Sequence, residues 1–237
     1  MQRHWVWNGV AEPVKNLQKN NFTIVELLVV IAIITVLCSL LLPAFSSGLN
    51  RAKLNTCRNN LHSIGIGINL YANENELFIP NIMVNMEKSS IPLLRLPNSE
   101  VVALGRLLKG YIESAHTFGC PDSPGFREND VAAAWSRTPM VWSGYLYRSQ
   151  AAGYQAILTE QDNLHKALVI DFACIKSSGN ITPHQLQMSN LLFSDAHVES
   201  RINSPEPFEL YTARAERHGE MIPDCTLIWQ NADNYAE

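Results

Sequence analysis

Glu26 is the one carboxylate inside the apolar run "NNFTIVELLVVIAIITVL", residues 20–37. An acid at the middle of a bilayer costs roughly 2.5–3.5 kcal/mol on insertion scales and less near an interface, so it needs a partner or a purpose. The chemistry open to it is electrostatic: pairing with a cation at the same depth, favourable placement in the positive first turn of a helix, or an escape to interfacial water. Near the other end, His184, Asp195 and His197 carry imidazole and carboxylate groups that a metal accepts as ligands. The same residue types serve turn hydrogen bonds and strand edges more often, so no metal and no cofactor is assigned. Of the five cysteines, Cys38 lies within the apolar run, and Cys57, Cys120, Cys174 and Cys225 lie beyond it. Four cysteines permit three pairings, and reduced core thiols are the alternative. Ser-His-Asp and Cys-His sets can be drawn from any chain with seven histidines, but none here sits in a local catalytic signature. Gly125 and Gly153 are isolated and make no phosphate-cradling loop. No catalytic residue is assigned, and an enzyme is not expected.

These residues depend on elements that the sequence pattern outlines. The 237-residue chain suits one or two domains, and 46% apolar with 17% charged residues is the composition of a folded protein. A net charge of -4 leaves no basic face suited to phosphate backbones, so no nucleic acid is expected as a partner. From Leu27 to Leu42 there is no charge, and with its flanks the run reaches the roughly 20 residues that cross a hydrocarbon core as a helix. A helix buried in a soluble core is the alternative, and the length and uniformity of the run weigh against it. A cleaved secretory signal fits the basic leader, but no A-x-A-like site follows the run and the helical pattern continues.

That pattern is Cys57, Leu61, Ile64, Ile68 and Tyr71, which fall on one face of a helix with polar residues opposite. The expected helix covers residues 22–71, with the membrane span at about 24–45, Pro43 as a site of bending, and Gly65 and Gly67 as weak points. Residues 72–237 then form one α+β head. Ser99 caps an expected helix in "EVVALGRLLK", which Gly110 ends. "MVWSGYLY" and "ALVIDFACI" have strand composition, and Trp142 and Tyr145 read as core or sheet surface. "NLLF", "SDAH" and Val198 to Ile202 read as strand, turn and return strand. Because Ala196 tolerates positive φ poorly, this turn is expected to differ from one bearing glycine.

"FTIVELLVVIAII" resembles the N-terminal segment of type IV prepilins and type II secretion pseudopilins. The resemblance implies a leader at 1–21, prepilin-peptidase cleavage between Asn21 and Phe22, and methylation of the new Phe22 amine. Asn21 stands where those families usually carry Gly. Glu26 matches their glutamate in the fifth place of the mature chain, where it can meet the amine of a neighbouring subunit during assembly. Pro43 matches a proline common in the twenty-second. "CRNNLHSIGIGINLYANENELFIP" and "LLKGYIESAHTFGCPDSP" resemble elements of a pilin-like group typical of planctomycete-type bacteria. "HQLQMSNLLFSDAHVES" resembles that group's terminal signature of histidine, nine residues and Asp-Gly-His, carried here by His184, Asp195 and His197 with ten intervening residues and Ala196 for glycine.

The implied fold is pilin-like: a long N-terminal helix followed by a head with an antiparallel sheet. The resemblance puts the protein in the inner membrane as a single-pass chain, leader cytoplasmic and C-terminal head periplasmic or extracellular. Charge does not decide this orientation, because Arg51, Lys53 and Arg58 balance the leader's bases. Loss of the leader would leave 15 Lys and Arg against 21 Asp and Glu, a charge of -6. The implied partners are prepilin peptidase, other pilin or pseudopilin subunits and the inner membrane. The implied role is a structural subunit of a type IV pilus or type II secretion pseudopilus. The alternative is a membrane-tethered exported binding domain that does not polymerise; an anchored hydrolase would need a pocket with convergent titratable groups. An exposed apolar stripe on the Cys57 to Tyr71 helix would favour polymerisation, and a head covering it around a deep pocket would favour binding. The pairing Cys57 with Cys120 follows from the same resemblance, since both lie in its two elements, and would close a loop worth roughly 4 kcal/mol on the chain-entropy model.

Overall fold

The computed structural model describes residues 23–80, 89–123, 126–150, 166–171, 173–176, 179–181, 188–202, 209–211 and 226–234. Asn21, Phe22, His184 and Cys225 lie outside them, as do residues 1–21, where a leader is expected, and the side chain of Cys174. The chain divides into two compact units, 1–46 and 47–237.

One helix, α1 (Ile24–Glu74), crosses that division. The helical assignment runs through Pro43, Gly65 and Gly67 without interruption, so the weak points in its later half do not break it. Packing explains the continuity: Cys57, Leu61, Ile64 and Ile68 are each fully buried, and the burial of this stripe outweighs glycine's low helix propensity, about 1 kcal/mol per residue. The unit starting at Ser47 therefore includes the second half of α1 as part of its core.

Five strands form an antiparallel sheet in the order β1 (Ser89–Arg95), β2 (Val141–Gln150), β3 (Ala167–Asp171), β6 (Met188–Phe193) and β7 (Val198–Ile202). Side chains alternate along these strands, and both faces of the central ones are buried. Tyr145, Tyr147, Val169 and Leu192 join the α1 stripe in one cluster. Leu146, Ile170, Leu191 and Phe193 join Ile228, Trp229 and Ala232 of α3 (Thr226–Asn234) in a second. The period of two sends alternate residues of β2 and β6 to opposite layers, while in β3, where the register shifts between Ala167 and Val169, Leu168 and Val169 both join the α1 cluster; the result is an α+β unit with a helix on either face of the sheet. Arg148 fixes α3: its guanidinium donates to both oxygens of Asp233 at 3.0 and 2.9 Å and lies 5.2 Å over the Trp229 ring. A three-stranded sheet has the order β5 (Gly179–Ile181), β4 (Ala173–Lys176), β8 (Glu209–Tyr211).

Two sequence expectations need correction. "ALVIDFACI" is not one strand: it supplies β3 and β4, which belong to different sheets. "EVVALGRLLK" is not an α-helix capped by Ser99. Val102 N–H donates to Leu94 O at 3.0 Å and Leu96 N–H to Glu100 O at 2.9 Å, holding Leu96 to Val102 as a turn against β1. Only Ala103–Leu108 turns helically, as a 3-10 segment with Val102 at its N-cap. A second 3-10 turn, Ala115–Phe118, leads to Cys120, and α2 (Glu128–Arg137) follows.

Candidate functional site: the two halves of the long helix

The helix begins at a reciprocal cap. Thr23 donates to Glu26 Oε2 through its amide at 2.9 Å and its hydroxyl at 2.8 Å, while the Glu26 amide donates to Thr23 Oγ1 at 3.2 Å. This is a capping box, in which the Thr-x-x-Glu spacing satisfies two amides that have no partner inside the helix. It provides Glu26 with a use inside one chain. The Thr-x-x-Glu spacing of "TIVE" carries this signal in the sequence, and a reading of Glu26 as a charge alone does not use it.

Beyond the cap, every large aliphatic side chain from Ile24 to Leu42 is substantially exposed, from 46% at Val30 to 78% at Ile24. The polar groups among them turn inward: Thr35 Oγ1 donates to Ala32 O and Ser39 Oγ to Val36 O, each at 2.8 Å. A helix apolar on all sides with its hydroxyls spent on its own carbonyls matches a solvent that offers no hydrogen bonds. By length and composition this helix can cross a membrane. Cys38 is an exposed thiol within it.

The second half of α1 is bedded in the head, which covers the stripe whose exposure would have favoured polymerisation. At its start, Lys53 pairs with Asp122 at 2.8 Å. One turn on, the Cys57 and Cys120 sulfurs are 2.6 Å apart and both residues are fully buried. Burial, and then the Cys120 sulfur, push the Cys57 thiol far above its ordinary pKa. The backbone around Cys120 is held from three sides: Asn60 Nδ2 and Tyr145 OH both donate to Gly119 O at 3.1 Å, Ser143 Oγ to Phe118 O at 3.0 Å, and Cys120 N–H to Phe126 O at 3.0 Å. Gly144 permits this approach, since a Cβ there would lie 2.6 Å from Cys120 N.

Two turns further, α1 meets the hairpin between β6 and β7. A Cβ at Gly65 would lie 2.7 Å from Leu192 Cδ1 and 2.9 Å from Ala196 Cβ, so glycine permits the contact. His62 Nδ1 is 3.0 Å from Ala196 O. Ala196 has φ +68°, so the turn takes the left-handed backbone that an alanine is expected to avoid. Tertiary contact on α1 holds a conformation that alanine disfavours by roughly 1–2 kcal/mol. In the same turn, Asp195 accepts from His197 through both the backbone amide, at 3.1 Å, and the ring Nδ1. Partial burial raises the Asp195 pKa, but these hydrogen bonds outweigh it and the net shift is downward. The His197 ring stacks on Phe193 at 4.4 Å, with Glu199 Oε1 3.4 Å from its Nε2. Asp195 and His197 thus make turn and strand contacts, and the position of His184 lies outside the described residues.

Between these contacts, Asn55, Arg58, Asn59, His62 and Val198 line an open cleft of about 470 Å³. It is shallow and polar, unlike the enclosed apolar pockets that take small ligands. No protein-family model, no curated protein and no solved structure matches this chain.

Proposed function

We propose that the chain is a pilin-like structural subunit, cut before Phe22, anchored in the inner membrane by the first half of α1, and assembled through that half into a type IV pilus or type II secretion pseudopilus. The observation that carries this reading is the division of labour along one helix: capped and apolar on all sides from Thr23 to Leu42, then bedded into an antiparallel-sheet head from Cys57 to Ala72. With the Cys57 stripe already covered, subunit contacts fall to the exposed first half. There Glu26 would keep its cap on Thr23 and present its remaining charge to the amine of a neighbour's Phe22. Leader inside and head outside is the orientation this requires, and the work is assembly rather than catalysis.

The second reading is a membrane-tethered exported binding domain that is processed in the same way and never polymerises. The covered stripe favours it, while the shallowness of the Asn55 to Val198 cleft does not. A photo-crosslinking amino acid at Ile31 in the full-length chain separates them. Assembly predicts a ladder of crosslinked multimers in native membranes; crosslinks to lipid alone favour the tethered domain.

A further inference from the structure

We propose that Cys57 and Cys120 are joined by a disulfide in the exported protein, fastening α1 to the loop after the second 3-10 turn; this rests on the export reading above. The two sulfurs meet across 63 residues of chain, fully buried, on segments that other interactions hold in place independently. On one side the stripe of Leu61, Ile64 and Ile68 seats the helix. On the other, bonds from Asn60, Ser143 and Tyr145 secure the Phe118 and Gly119 carbonyls, and the absence of a side chain at Gly144 admits the Cys120 backbone. A buried pair of this kind suits a structural link better than a reactive centre, since a reactive thiol is partly exposed and kept as a thiolate. Among the described residues no group of three His, Cys, Asp or Glu side chains could make these sulfurs part of a metal site.

Closure converts two thiols into one sulfur–sulfur bond with loss of two protons and two electrons. The oxidant is a disulfide, either of an exported thiol oxidase or of a small molecule such as glutathione disulfide, and it is reduced to two thiols through a mixed-disulfide intermediate. Attack requires a thiolate. Because both cysteines are fully buried in the folded head and out of an oxidant's reach, the exchange belongs to the period before the head closes over the helix.

Thiol trapping followed by non-reducing peptide mapping of the full-length chain from native membranes tests the link, with external protease applied to spheroplasts to report the side of the head. The expected result is a protease-accessible head whose Cys57 peptide is linked to its Cys120 peptide, with Cys38 alkylated. Alkylation of both Cys57 and Cys120 in an accessible head overturns the disulfide and leaves the export reading standing. A protected head overturns the export reading. The disulfide is then judged on full-length chain synthesised cell-free into detergent micelles with a glutathione redox buffer. Linkage there supports the pair, and two alkylated thiols overturn it. Cys57→Ser should release Cys120 for alkylation in either setting; Cys120 remaining linked to another cysteine in the wild-type map would also overturn the assignment.

Discussion

Thr23 and Glu26 cap each other at the start of α1, so the acid in the apolar run already has two hydrogen-bond donors before any neighbour arrives. That relationship separates two roles that a charge argument merges. Glu26→Gln keeps an acceptor for the Thr23 amide and removes the charge, whereas Glu26→Val removes both. Loss of the cap weakens the helix start by about 1 kcal/mol. If a neighbour's amine reads the charge, both variants insert and neither enters filaments, as measured by the sheared extracellular fraction. Normal assembly of Glu26→Gln would reduce the residue's role to capping.

Ala196 against Gly65 gives a paired prediction. Ala196→Gly relieves a left-handed alanine and should raise stability by about 1 kcal/mol, or about 2–4 °C in the Tm of the full chain in detergent. Gly65→Ala drives a methyl into Leu192 and Ala196 and should lower stability by about 1–3 kcal/mol. Thermal melts followed by circular dichroism check both signs.

The hairpin, the buried stripe and the long helix were legible because each rests on a local period. Residues at steps of three and four from Cys57 to Ile68 went to the core, and "NLLF" and "VESRI" paired as written. The misreadings came from long-range contacts. Nothing local in "EVVALGRLLK" says that Val102 must bond Leu94, and nothing in Ala196 says that His62 and Gly65 will hold its φ positive. Arg148 and Asp233, 85 residues apart, gave no pattern at all.

The Arg148 and Asp233 pair is largely enclosed, with side chains 9% and 22% exposed. Asp233→Ala leaves the guanidinium without its carboxylate and should destabilise the head by about 3 kcal/mol. Denaturant unfolding in detergent measures it, and an unchanged midpoint would contradict the account of how α3 is held.

Asp195 sets a pH dependence. Its folded pKa lies below the ordinary value of 3.8, so the unfolded chain takes up the proton first as the medium is acidified. The stabilisation is complete above the unfolded value and is lost as pH falls from there through the lower folded value. Asp195→Asn should therefore flatten the acid limb of the stability profile below about pH 4 and leave its shape above pH 5 unchanged. An unaltered acid limb would show that the bonds from His197 do not contribute.

The disulfide assignment carries a stability prediction of its own. A link across 63 residues restricts the unfolded chain by roughly 4 kcal/mol on the entropy model. Oxidised wild type should therefore exceed a Cys57→Ser, Cys120→Ser double variant by about that amount in denaturant unfolding, and reducing agent should remove most of the difference.

The pilin-like reading depends before anything else on where the mature chain begins. Intact-mass and N-terminal peptide analysis of the protein extracted from its native host membranes should find Phe22 as the first residue, carrying one added methyl group on its amine. A chain that retains residues 1–21 in a host with active prepilin peptidase would contradict the reading and leave α1 as a simple signal anchor.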